Sequence, residues 1–148
     1  MTLTEFLEDV EFKPYASVVN SWDSFGPDGE VMMQLWDSPC TRVRDPSFPE
    51  RYLRLRCFDI EHFKANGSNH RVGYNGRTSA IQRIENSARG FAVISTAPNS
   101  ARGAGIWARY ADLTKCYPIL TIDREACGDI YVIVGKPVPV KAINPITQ

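Results

Sequence analysis

The sequence predicts an α+β fold: a curved, mostly antiparallel sheet of about six or seven strands, its curvature reaching toward a barrel, flanked by two or three helices. Three observations carry this reading. Short runs of β-branched and aromatic residues recur between turn-rich segments, as at 31–36, 52–58 and 91–97. Helical periodicity is confined to brief stretches near the amino terminus and after residue 77. The run Ile-Tyr-Val-Ile-Val at Ile130–Val134 is apolar throughout, which suits a strand covered on both faces at the centre of a sheet.

In chain order, Thr2 or Thr4 caps a first helix over 3–10, where Phe6, Leu7 and Val10 share a face and Glu5 and Glu8 favour the amino-terminal dipole. Pro14 ends it. Apolar runs at 15–22 and 31–36, separated by the turn residues of 25–29, read as a hairpin. Strands follow at 41–44 and 52–58. In the second, Leu53, Leu55 and Cys57 alternate with Tyr52, Arg54 and Arg56, and Arg42 and Arg44 flank Val43 in the same rhythm. Paired strands would then set four arginines on one sheet face, to be balanced by Asp37, Asp45, Glu50 and Asp59 or by an anionic ligand.

From Lys64 to Gly76 the chain is rich in turn residues and contains Asn-Gly twice, which predicts a long exposed loop or small hairpin. Thr78 or Ser79 then caps a helix ending near Arg89, with Ile81, Ile84 and Ala88 on its buried stripe, Arg77, Arg83 and Arg89 outside it, and Gly90 as terminator. A strand over 91–97, a small-residue loop over 98–105 and a helix over 106–114 follow, the last with Ile106, Tyr110 and Leu113 on one face. Pro118 weakens the start of a strand over 119–123, and Pro139 marks 138–143 as an edge strand. No repeat or linker divides the 148 residues, so a single domain over 1–148 is expected.

Net charge is zero, but its distribution is uneven. Residues 1–63 hold 12 acids and 6 bases, whereas 64–109 hold Glu85 alone against Lys64, Arg71, Arg77, Arg83, Arg89, Arg102 and Arg109. Arginine outnumbers lysine 12 to 5 across the chain. A planar guanidinium forks onto phosphate and stacks on bases, so this block suits a polyanion, unless it faces the acidic amino-terminal part. No segment is apolar enough to span a membrane, and the acidic amino terminus lacks a secretory pattern, so no membrane partner and a cytoplasmic location are expected. Cys40, Cys57, Cys116 and Cys127 form no Cys-x-x-Cys pair and stand away from His62 and His70, predicting reduced thiols and no metal site.

The segment Gly103-Ala-Gly-Ile-Trp-Ala108 fits G-x-G-x-x-A, with Asp123 placed as the ribose-binding acid, but residues 98–102 separate the glycines from the preceding strand. A simpler role for Arg102, Gly103 and neighbouring amides is an anion nest for phosphate. Asp59, Glu61, His62 and His70 suggest an acid-base or metal cluster, although on a strand His62 would face away from the two acids. Glu11-Phe-Lys13 has the E-x-K form of metal nucleases without room for the upstream aspartate. With no complete catalytic motif, the sequence leans away from an enzyme and calls for no cofactor. Among the aromatics, Tyr74 and Trp107 stand next to arginines or glycines, where a base would stack.

The stretches GRTSAIQRIE from Gly76 and ARGFAVISTA to Ala97 resemble a pattern in small prokaryotic domains that accompany restriction and other defence proteins, an arginine-bearing helix before a Gly-aromatic strand. The resemblance implies a DNA-associated reader module. The expectation is therefore a nucleic-acid-binding domain, DNA favoured, linked to restriction or phage-host defence. Arg54, Arg56, Arg71, Arg77, Arg83, Arg89 and Arg102 would sit on phosphates, with Tyr74 and Trp107 near a base and Gly103 in the nest. Two alternatives are a protein or enzyme binding a nucleotide or other phosphorylated small molecule through the 99–105 loop, and a protein-interaction inhibitor domain.

Overall fold

The computed structural model describes residues 2–17, 21–36, 40–45, 48–96 and 111–140, with the backbone alone over 40–45 and 48–51. Its first element, α1 (Leu3–Asp9), begins where the sequence places it. Thr2 Oγ1 accepts from the Glu5 amide at 3.1 Å, while the Glu5 carboxylate accepts from the Thr2 amide at 3.3 Å, a reciprocal cap on two orphan donors. The helix presents Leu3, Phe6 and Leu7 to the core.

Among the described residues nine strands follow: β1 (Lys13–Pro14), β2 (Asp23–Phe25), β3 (Val31–Trp36), β4 (Cys40–Asp45), β5 (Phe48–Phe58), β6 (Gly90–Ser95), β7 (Lys115–Arg124), β8 (Ile130–Val134) and β9 (Val138–Pro139). Two more helices, α2 (Ile60–Asn66) and α3 (Arg71–Glu85), connect β5 to β6. The strands form one sheet in the order β1-β2-β3-β6-β7-β8-β5-β4, with β9 on β7; it is curved and mostly antiparallel, but its two ends do not meet to close a barrel. Only the β3–β6 pair is parallel among the described strands.

That parallel pair is covered on both sides, which is where parallel strands are stable. Met32 of β3 and Phe91 and Val93 of β6 pack with Phe6, Leu7 and Phe12 under α1. The alternate residues Val31, Met33, Leu35 and Ala92 pack with Ala80 and Ile81 of α3 and with Leu55, Val132 and Val134. β8 is interior as expected, flanked by β7 and β5.

Several expectations change. The hairpin turn forms at 26–29, Gly29 taking φ +83°, but the strand before it is β2 at Asp23–Phe25, beyond the 15–22 run predicted, whose described residues are not strand. β7 starts at Lys115, ahead of Pro118. Pro118 lies where β7 leaves β6 and joins β8, and its carbonyl still accepts from the Gly135 amide at 2.9 Å, so a missing donor is tolerated there. The described end of the 106–114 helix, residues 111–114, is an isolated bridge and a turn instead. The β4–β5 register sets Arg42 opposite Leu53 and Arg54 opposite Thr41, so positions 42 and 54 belong to opposite faces and the four-arginine surface does not form.

The largest change is at 64–76. In place of a loop, α2 ends at Asn66, a short turn covers 67–70, and α3 starts at Arg71, well before Thr78. The glycines that read as turn residues let α3 press directly on the segment before β2. A Cβ on Gly73 would stand 2.3 Å from Trp22 Cε2, and one on Gly76 3.0 Å from the Tyr15 ring. Packing thus outweighs the roughly 1 kcal/mol that each glycine costs a helix interior. Gly90 is the first residue of β6, and the turn after α3 is made by Ser87 at φ +78°. No helix among the described residues is long and apolar enough to cross a membrane.

Candidate nucleotide-binding groove between α2 and α3

Asp59 caps α2, its Oδ1 accepting from the amides of Glu61 and His62 at 3.1 and 3.2 Å. Its other oxygen pairs with Arg56 at 3.0 Å, and Asp129 accepts from the Ile60 amide at 2.9 Å. The helix is thereby clamped to the end of β5 although none of its residues is buried. Asp59, expected in a cluster with Glu61, His62 and His70, is thus engaged as the cap of α2 and by Arg56. Among the described residues no group of three metal-ligating side chains stands together.

The clamp delivers His62 and Phe63 to α3. Tyr74, expected in an exposed loop, is 5% exposed in the second turn of α3. Trp22, Phe58 and Phe63 meet its ring edge-to-face at centroid distances of 4.7, 5.7 and 5.0 Å. This is the favoured geometry for quadrupolar rings. Its hydroxyl makes a short hydrogen bond with His62 Nδ1, and His62 in turn stacks on His70 at 5.7 Å. Burial, assisted by the Asp59 carboxylate and opposed by Arg77, pushes the Tyr74 phenol up, so it stays protonated at neutral pH.

Outside this cluster lies an open groove of about 450 Å³ between the two helices. Phe63 and Lys64 line it from α2, Ser68 from the turn, and Arg71, Tyr74 and Asn75 from α3. Phe63 is 41% exposed, large for an apolar ring. Lys64 lies 3.9 Å from Glu61 with both side chains mostly in water, a weak pairing. Arg71 is exposed and, among the described residues, has no carboxylate within 4 Å. The groove therefore combines an aromatic face, two cations and the neutral polar groups of Ser68 and Asn75.

The other arginines divide by partner. Arg54 binds Asp123 at 2.8 Å and Glu125 at 2.5 Å, with its guanidinium 3.6 Å over Tyr131. Asp123 is thus an ion-pair partner on β7. Arg56 is held by Asp59 and Asp129. Acids thus balance Arg54 and Arg56, with Asp59 among them as anticipated. Arg77 lies inside the protein, 5% exposed, and not outside the helix stripe. It donates to Asp23 Oδ2 at 2.8 Å and to the carbonyls of Cys57 and Gln34 at 2.6 and 2.9 Å. Burial pushes the Asp23 carboxyl up against the pull of Arg77. Arg83 and Arg89 are exposed and rest on aromatic rings, 4.0 Å above Phe25 and 5.2 Å from Phe91. Arg102, Gly103 and Trp107, with the nest and fingerprint they belong to, lie outside the described residues.

The chain matches no protein-family model, no curated protein and no solved structure. Its chemistry is therefore read from its own residues. Sequence reasoning passed over Phe63, Ser68 and Asn75. The signal that locates Phe63 is Asp59, an N-cap residue with Glu61 in the turn after it, which marks a helix start at Ile60.

Burial also pushes the thiols of Cys57 and Cys116 up to about 12, keeping both as unreactive thiols. Cys127 is exposed and likewise unpaired.

Proposed function

We propose that the protein is a cytoplasmic nucleic-acid-binding domain, DNA favoured, and that its contact surface centres on the α2–α3 groove and not on the arginines of β5. The observation that carries this reading is Arg71 at the groove, exposed and without a carboxylate partner among the described residues, beside the exposed ring of Phe63. A guanidinium with open donors binds phosphate, and an adjacent aromatic face stacks a base. Arg54, Arg56 and Arg77 have carboxylate partners that a phosphate would have to displace. Arg83 lies about 18 Å further along α3 at 1.5 Å rise per residue and about a third of a turn around the helix from Arg71, over Phe25 and outside the groove.

The link to prokaryotic defence rests on the resemblance over 76–97. In the fold that stretch forms the later part of α3 and β6, and Arg77, Ala80, Ile81, Ala92 and Val93 within it are buried. It supports a shared scaffold more than a shared contact surface. A second reading, a phosphorylated small molecule in the same groove, is favoured by its volume, which falls within the range of about 300–1,000 Å³ typical of ligand pockets.

Fluorescence anisotropy with labelled DNA across a salt series tests the proposal. Affinity should fall as salt rises, and Arg71→Gln should reduce the slope of log K against log salt by about 0.7–0.9, one phosphate contact. Absence of salt-dependent DNA binding would rule the proposal out.

A further inference from the structure

We infer that the α2–α3 groove accepts one unstacked nucleotide of a DNA strand, so that the preferred ligand is single-stranded DNA or a duplex carrying an unpaired base. This rests on the nucleic-acid reading above and names the form of nucleic acid the site takes. Three features argue for it.

The first is shape. The groove is an open concavity of about 450 Å³ between two helices, roomy enough for one unstacked nucleotide, whereas a duplex presents a convex row of phosphates with its bases stacked inside. The second is the aromatic wall. Phe63 contacts Phe58 at 5.4 Å and Tyr74 at 5.0 Å, yet 41% of it remains in water. Buried Tyr74 and half-buried Phe58 hold the ring in place, which lowers the ordering cost of stacking a base on the part left exposed. Tyr74 beneath it is held by the rings of Trp22 and Phe58 and by His62, so this wall is preorganised.

The third is the arrangement of polar groups. Arg71 and Lys64 supply cations from opposite helices for the phosphate, and Asn75 and Ser68 supply donors and acceptors of the kind that read a base edge. A carboxamide can pair two-fold with adenine, so purine preference is the expected direction if Asn75 contacts the base. Gly67 keeps the turn close: a Cβ there would stand 2.6 Å from the Phe63 carbonyl.

The test compares full-length protein binding to three labelled DNAs of one sequence: a single strand, a perfect duplex, and the duplex with one unpaired adenine. The single strand and the bulged duplex should bind about tenfold more tightly than the perfect duplex, the scale of one base-aromatic stack. Phe63→Ala should abolish that preference, bringing single-strand and bulged-duplex affinity down to that of the perfect duplex. Phe63→Leu, which preserves apolar volume for Phe58 and Tyr74, should do the same in a protein that melts like the wild type. Equal affinity for all three DNAs, or a preference that survives Phe63→Leu, overturns the single-nucleotide inference while leaving salt-dependent DNA binding intact. Loss of all salt-dependent binding instead overturns the underlying functional reading. Adenosine monophosphate distinguishes the remaining source of the same chemistry: saturable binding of the free nucleotide without affinity for any strand overturns the inference in favour of a small-molecule site.

Discussion

Arg77 and Asp23 form an ion pair inside the core, Nε to Oδ2 at 2.8 Å, with side chains 6% and 0% exposed. The same guanidinium binds main-chain carbonyls of Gln34 on β3 and Cys57 on β5, strands that the sheet order places far apart. One side chain of α3 thus ties three strands beneath it. Arg77→Met should lower unfolding stability by about 3–5 kcal/mol, because it strands a buried carboxylate. Adding Asp23→Asn should restore part of that loss. Urea denaturation of both variants checks this, and a merely additive double variant would contradict the pairing.

Gly73 sets two effects against each other. Alanine is the better helix former by about 1 kcal/mol, which alone would stabilise α3. Its methyl, however, would lie 2.3 to 2.6 Å from three atoms of the Trp22 indole, a fixed ring packed on Tyr74. Overpacking of this kind costs roughly 1–3 kcal/mol and should win. Gly73→Ala is expected to melt below the wild type with altered Trp22 fluorescence; a raised melting temperature would mean α3 does not pack as described.

Tyr74→Phe retains the ring packing and removes the bond to His62. A net loss of about 0.5–1.5 kcal/mol is expected, since His62 can turn to water. The alkaline limb tests the raised phenol separately. A phenol whose folded value exceeds its unfolded value of 10.0 leaves stability unaffected at neutral pH and lowers it as pH rises through that unfolded value, where the unfolded chain ionises first. Stability of the wild type should therefore fall above pH 10.0 more than that of Tyr74→Phe, measured by denaturant titration at several pH values.

Glu85 on α3 and Arg124 on β7 form a two-pronged pair at 2.9 and 2.7 Å. The hydrogen bonds from Arg124 hold the Glu85 carboxyl below its ordinary 4.5. The contribution is thus present above pH 4.5 and lost as pH falls through the lowered folded value. Both partners are substantially exposed, so it amounts to about 0.2–1 kcal/mol, at the upper end for the bidentate geometry. Glu85→Gln should be less stable than wild type at pH 7 and equal to it at pH 2, with thermal melts at the two pH values as the measure.

Local chemistry wrote some elements directly into the chain. Thr2 and Glu5 define the start of α1 within three residues, the 26–29 turn needs its glycine, and the alternation of Leu53, Leu55 and Cys57 identifies β5 as a half-wet strand. These signals survive folding because neighbours within a few residues satisfy them. The groove was legible only in fragments: the basic block and Arg71 were visible, whereas Tyr74 was noticed for an exposure it does not have.

Partners distant in sequence decided the rest. Trp22 and Tyr15 make helical glycines of Gly73 and Gly76, although Asn75-Gly76 in isolation favours a turn. Asp23, 54 residues from Arg77, draws that arginine into the core, and Asp123 and Glu125 reach back some 70 residues to occupy Arg54. By itself the sequence determined an α+β chain with a cationic middle. Which of the described arginines are paired was decided by tertiary structure, because an arginine's partner is whichever carboxylate the fold brings within hydrogen-bonding distance, and that distance has no counterpart along the chain.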